Sequence, residues 1–350
     1  MKYPYLETLQ TKYPLPPHWG ELEVFSESVN IGALTLELVG LCASNGVRGV
    51  TGSAAGNASE GLWVRAYFEL FERICLLESS ASGTSLDFKE LSPSGEFVTN
   101  ATIDEIFPAS SAEANWKFSI SNGAACHTNW WDAVESAVGE LLERDAVLYS
   151  WFTNTPPLRR EIAESIAEDV EKLKDVYNIQ MREFPVHLNL AGYANDFRVM
   201  GAFAFPHPGT KAPLVYGFGA KRSLVKASEH AFQECLQRLG FLWGEEWAHE
   251  MPNFSATPEY HQEYFLRQNG EAELKDWILP MVNGNSNADA TRASELKLFD
   301  VTPTEFKNTL VVAKAAATGA VPLVFGRDYA PQLKLFDPES IRSRMVHPVV

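Results

Sequence analysis

Three segments of this 350-residue chain carry an acidic or amide pair three residues apart: Glu69/Glu72 followed by Arg73, Glu140/Glu143 followed by Arg144 and Asp145, and Glu234/Gln237 followed by Arg238. Residues three apart on a helix are surface neighbours, so the two members of each pair can grip one cation together. Mg2+ asks for oxygen ligands in near-octahedral geometry and bridges carboxylates to substrate phosphates. Glu69, Glu72, Glu140 and Glu143 supply such a set, and Glu234 with Gln237 adds a third pair for a nucleotide or a second metal. Arg144 and Arg73 can take phosphate oxygens in forked hydrogen bonds. The glycine-rich stretch 52–56 reads as an approach to a helix start, where backbone N–H groups can meet a phosphate. Ser53 within it either touches that phosphate or supports the turn. Convergence of all three segments on one Mg-nucleotide is the expectation.

Each pair needs a helix beneath it. Leu62, Ala66, Leu70 and Ile74 keep helical spacing and predict a helix over 59–78, capped by Asn57 or Ser59. A glycine-bearing turn at 121–127 leads to a helix over 133–151, and a third helix is predicted over 223–243. Strands are expected at 34–43, 116–121, 179–184, 198–205 and 214–220. Residues 1–20, with Pro14, Pro16 and Pro17, read as an irregular arm, and 79–100 reads as loop. A charged amphipathic helix is expected over 160–177. Residues 244–300 yield no assigned element, with a loop at 283–287. A closing hairpin is predicted from 309–313 and 321–325. No repeat of solenoid or propeller period is present.

Composition narrows the partners. The chain is 45% hydrophobic and 21% charged, the profile of an ordinary globular protein, and its length allows one large domain. With 29 basic against 45 acidic residues, the formal charge is −16, which opposes a nucleic-acid partner and docking on anionic lipid. The four cysteines (Cys42, Cys75, Cys126 and Cys235) are scattered and form no C-x-x-C pair, so neither a disulfide framework nor secretion is expected. No run of signal-peptide or membrane-spanning character is seen, and the cytoplasm is the expected compartment. His127 could act as a base or as a structural histidine. The pair Trp130-Trp131 could stack an adenine or pack as core. The histidines lack zinc spacing.

The run Ser121-Asn122-Gly123-Ala124-Ala125-Cys126-His127, followed by Ala133 through Ala146 (AVESAVGELLERDA) and Trp151, resembles the central signature of the YcaO family, nucleotide-dependent enzymes that activate peptide backbone amides. Glu69-Leu70-Phe71-Glu72-Arg73 looks like that family's first helix. Gly217-Phe218-Gly219-Ala220 with the helix bearing Glu234 and Gln237 looks like its third. The resemblance spans roughly residues 50 to 240.

That resemblance implies a single α+β domain over 1–350, with mixed or antiparallel sheets and three helices framing a glutamate-rich cleft for ATP and Mg2+. The chain agrees in having no G-x-x-x-x-G-K-[ST] loop. The implied reaction is cyclodehydration of a precursor peptide. A Cys, Ser or Thr side chain attacks the preceding amide carbonyl, the resulting oxygen is phosphorylated from ATP, and phosphate leaves to give thiazoline or oxazoline. The alternatives are a thioamide- or amidine-forming YcaO enzyme and a non-catalytic scaffold subunit. Metal ligation falls to Glu69, Glu72, Glu140 and Glu143, phosphate to Arg144, Arg73 and Ser53, and proton transfer to His347 or the Val350 carboxylate. Family practice further implies a separate E1-like leader-recognition protein, there being no room for a fused one, together with a flavin dehydrogenase and a homodimer. The chain departs from many members where Ala55-Gly56-Asn57 replaces Gly-Lys-Gly and where Arg65 replaces a serine.

Overall fold

The apolar stripe Leu62, Ala66, Leu70 and Ile74 is buried, as its spacing demands, and the helix that carries it organises one of two compact units. The computed structural model describes residues 3–81, 88–110, 114–193, 196–246, 253–280, 292–306, 310–327, 329, 336 and 345–349. In order, the elements are α1 (Pro4–Lys12), β1 (Glu23–Ile31), β2 (Leu34–Ser44), β3 (Gly49–Gly56), α2 (Glu60–Ala81), β4 (Phe88–Leu91), β5 (Phe97–Ala101), α3 (Ile103–Ile106), β6 (Trp116–Phe118), β7 (Ala124–His127) and α4 (Trp130–Phe152). There follow β8 (Leu158–Arg160), α5 (Glu164–Leu173), β9 (Tyr177–Phe184), β10 (Leu188–Leu190), β11 (Arg198–Pro206), β12 (Val215–Lys221) and α6 (Leu224–Leu242). The chain continues through α7 (Pro258–Phe265), α8 (Gln268–Ile278), β13 (Arg292–Ser294), β14 (Leu296–Asp300), β15 (Val311–Ala317) and β16 (Val324–Gly326). The fold class is α+β with predominantly antiparallel sheets, as the sequence implied.

The first unit comprises Met1–Phe107, Gly123–Glu140 and Lys297–Ala316. It holds an antiparallel sheet in the order β1-β2-β3 and a five-stranded sheet in the order β5-β4-β14-β15-β7. Thus β3 and β7 are both edge strands. Helix α2 packs on β3 so closely that a Cβ on Gly52 would lie 2.2 Å from the Ala66 carbonyl oxygen, and only glycine fits there. Its other flank meets Trp19, Phe306 and Val312 in a common core, with the Phe71 and Phe306 rings 4.8 Å apart.

The second unit comprises Pro108–Asn122, Leu141–Leu296 and Ala317–Val350. Its main sheet runs β12-β11-β9-β8, and two-stranded pairings join β10 to β13 and β16 to β6. Helix α6 lies against β12. A Cβ on Gly217 would meet the Cys235 nitrogen at 2.3 Å, so the Gly-Phe-Gly run is a packing requirement. Trp277 anchors this core, donating from Nε1 to Ser150 Oγ at 3.0 Å with its ring 5.0 Å from that of Trp151.

Several expectations need correction. The N-terminal arm contains α1, whose Leu6 and Leu9 are buried. The glycine-rich stretch at 49–56 is strand β3, not a helix-start turn. The loop expected over 79–100 holds the last turn of α2 and a hairpin, β4 against β5, with its turn closed by Gly95 N–H on Ser92. The helix expected over 160–177 shrinks to α5, because β8 takes its start and β9 its end. In place of the closing hairpin, among the described residues β15 pairs with β7, and β16 pairs with β6. Residues 244–300 contain α7, α8, β13 and β14, while the loop expected at 283–287 lies outside the described residues. Among the described residues no helix is long and apolar enough to cross a membrane.

Candidate active site

Edge strands leave backbone N–H groups without sheet partners, and buried ones must be satisfied. In the first unit, carboxylates do this. Glu69 on α2 accepts from the Ser53 N–H of β3 at 2.6 Å. Glu72, nearly one turn on, accepts from the Cys126 N–H of β7 at 3.1 Å. Glu140 of α4 accepts from the Ala124 N–H of the same strand at 3.2 Å. The alternation is consistent: residues 124 and 126 turn their N–H groups outward, while the Gly123 carbonyl accepts from Ala315 of β15 at 2.7 Å.

The three carboxylates act on one another. Burial first, then the charges of Glu140 and Glu69, push the Glu72 carboxyl well above its ordinary range, against the opposing pull of Arg73 and the Cys126 N–H. Such a cluster holds negative charge that a divalent cation relieves. Arg73 spends its guanidinium on Glu69, at 2.6 Å, and on the Thr51 carbonyl oxygen, at 2.8 Å. It therefore steadies Glu69. Arg65 donates to the Ala55 carbonyl oxygen at 3.0 Å. Arg65, Glu69 and Arg73 thus form a row along α2 that satisfies Ala55, Ser53 and Thr51 in turn on the outer edge of β3. Ser53 enters this cluster through its main chain.

One residue of the cluster escaped the sequence reading. Lys314, on β15 opposite Ala124 in the register, is only 4% exposed. Burial lowers its ammonium to about 8, while Glu140 and then Glu72 pull it upward. Its available signal was a lone lysine within the otherwise apolar strand VVAKAAA. Burial, reinforced by Glu72, pushes the Cys126 thiol well above its ordinary value, which disfavours the nucleophilic thiolate.

The remaining predicted residues belong to the second unit. Glu143 is 7% exposed, with the Arg144 Nε 3.7 Å from its Oε1. Asp145 is structural: its carboxylate takes Arg292 Nη2 at 2.6 Å and the Val321 N–H at 2.8 Å. Glu234 and Gln237 lie half-buried on α6, Glu234 3.9 Å from His230 Nε2. His347 is fully buried, its Nε2 facing the Val324 carbonyl oxygen at 3.0 Å and its own carbonyl accepting from His261 Nδ1 at 3.2 Å. Burial lowers it to about 4. These contacts anchor the tail at His347. Val350 lies outside the described residues.

The aromatic and histidine alternatives separate in the first unit. Trp130 donates from Nε1 to the Ser92 carbonyl at 3.1 Å and packs on Gly95. Trp131 is 57% exposed. His127 lies beside Asp132, 3.5 Å from its carboxylate. Among the described residues, no three His, Cys, Asp or Glu side chains close into a cage for a metal. Mg2+ keeps several waters and takes one or two carboxylates together with phosphate oxygens.

An α+β fold with backbone-anchored carboxylates gathered in one unit defines a candidate site for a hard divalent cation. The family described as YcaO cyclodehydratase, ATP- and Mg2+-binding, matches residues 100–299, and the chain belongs to that family; ATP and Mg2+ are its cofactors. Among solved structures, YcaO from Methanopyrus kandleri bound with AMPPCP and Mg2+ is similar over 90% of each chain, at 16% identity and a TM-score of 0.63. A heterocyclase in complex with substrate and cofactor is similar over 91% of this chain and 52% of its own, at 13% identity and a TM-score of 0.60; the chain spans about half the length of that protein. The Escherichia coli microcin synthetase McbBCD complex is similar over 85% of this chain and 87% of the other, at 14% identity and a TM-score of 0.56. At these identities the likeness is one of fold. Among curated protein sequences none matches this chain.

Proposed function

We propose that this chain is an ATP-dependent peptide cyclodehydratase, converting Cys, Ser or Thr of a ribosomally made precursor peptide into thiazoline or oxazoline. The observation that carries the reading is the gathering of Glu69, Glu72 and Glu140 on the edges of β3 and β7, in a family whose ligands are ATP and Mg2+. When bound, ATP would supply the phosphoryl group that turns a poor oxygen leaving group into phosphate, and the metal would offset its charge. Glu69, Glu72, Glu140 and Glu143 would hold Mg2+, and Arg144 would receive phosphate oxygens. Arg73 and Ser53 fix Glu69, while Glu234 and Gln237 serve the nucleotide or a second metal. The protein's contribution is positioning and charge neutralisation, which phosphoryl transfer chiefly requires. Like its family relatives in multi-protein synthetases, the chain works with a separate leader-recognition protein and a flavin dehydrogenase, as a homodimer in the cytoplasm.

Peptide-stimulated ATP hydrolysis followed by mass spectrometry of the peptide tests the reading. Loss of one water per modified residue supports azoline formation. A mass gain equal to the sulfur-for-oxygen difference points instead to thioamide formation, and absence of ATP hydrolysis in the reconstituted complex points to a scaffold. Glu140→Gln and Glu143→Ala each lower ATP turnover by at least about 100-fold with the circular dichroism unchanged. Normal ring formation by both variants overturns the metal assignment.

A further inference from the structure

Lys314 is the buried cation of the first unit's acidic cluster. Its placement follows from the register: Lys314 stands opposite Ala124 across the β7–β15 pair, and the N–H of that same alanine holds Glu140. The charges acting on its ammonium are Glu140 and Glu72, the two carboxylates that clasp β7. A lysine 96% buried (4% exposed) in a strand of valines and alanines costs desolvation, and packing alone favours an apolar side chain there. The Phe107 ring, 5.4 Å away, covers the ammonium without supplying an anion.

We propose that Lys314 is a positioning residue: an internal counter-cation that holds Glu72 and Glu140 toward β7 when no divalent ion is bound, and that sets how tightly the cluster takes one. The proposal rests on the carboxylates forming the cation site of the proposed function. The ammonium and a divalent ion together bring three positive charges to two carboxylates, so the lysine weakens divalent binding. It thereby prevents the cluster from retaining a metal that arrives without its nucleotide.

The test uses the full chain. Mn2+ affinity of the nucleotide-free protein is measured by electron paramagnetic resonance for wild type, Lys314→Met and Lys314→Arg. Lys314→Met should bind Mn2+ at least about tenfold more tightly, and Lys314→Arg should stay near wild type. A stability cycle guards against trivial misfolding: Lys314→Met should lower Tm by about 5 °C more in the wild-type background than beside Glu140→Gln. Unchanged Mn2+ affinity in Lys314→Met, or equal Tm losses in both backgrounds, overturns the proposal. Failure of the wild-type protein to bind Mg-nucleotide in calorimetry, with the lysine–glutamate coupling present, instead sinks the functional reading and leaves the counter-cation standing.

Discussion

A carboxylate anchored by a backbone N–H has lost most of its rotamer freedom before any ligand arrives, and that is the state of Glu69, Glu72 and Glu140. Their exchangeability is correspondingly low. Glu69→Ala leaves the Ser53 N–H without its acceptor and should cost about 1–3 kcal/mol in stability, measured by urea unfolding, besides its effect on turnover. The buried histidines give a pH signature of their own. His261 is lowered to about 2 and His347 to about 4, chiefly by burial. Both are neutral in the folded chain, so their contribution is intact above the unfolded value near 6.5. As pH falls below that value the unfolded state takes up the protons and the folded state does not, and stability drops by about 1.4 kcal/mol per histidine per pH unit. For His347 the drop ends near its folded value, about 4. Urea midpoints between pH 7 and pH 4.5 should fall steeply for wild type and less steeply for His347→Gln.

Elements with strong local periodicity were legible from sequence, and elements defined by distant pairing were not. Helices α2, α4 and α6 announce themselves by apolar residues at helical spacing, and β2, β9, β11 and β12 by dense apolar runs. The hairpin β4–β5 hides behind Ser92, Pro93 and Gly95, whose turn chemistry also describes a loop. Strand β7 is four residues long and finds its identity only through β15, nearly two hundred residues away. The glutamates were readable because their spacing is local. Lys314 was not read, because its meaning depends on the register of that same distant pair. Close packing supplies the element-scale prediction: Gly52→Ala drives a Cβ to 2.2 Å from the Ala66 carbonyl oxygen. It should destabilise by at least about 1–3 kcal/mol and lower ATP turnover as well, since α2 carries Glu69 and Glu72 away from their strands. A full loss of stability with unchanged turnover per folded molecule would contradict that coupling.

For the molecule as a whole, a formal charge of −16 repels a bare nucleoside triphosphate, and the acidic cluster adds to the repulsion. Chelation of Mg2+ should therefore weaken ATP binding by at least about tenfold, read by calorimetry with and without EDTA, and salt should soften the difference. Equal affinity in both conditions would show that nucleotide recognition does not run through the carboxylates. The acidic balance read from composition thus bears on the ligand as well as on the partners it disfavours.

Three main-chain amides, those of Ser53, Ala124 and Cys126, rest on side chains that a metal would also engage. Their hydrogen-exchange rates are consequently gauges of the carboxylates' occupancy. A cation that draws an oxygen away quickens one amide in particular, so deuterium uptake at these positions distinguishes which glutamate has moved without any label being placed in the protein.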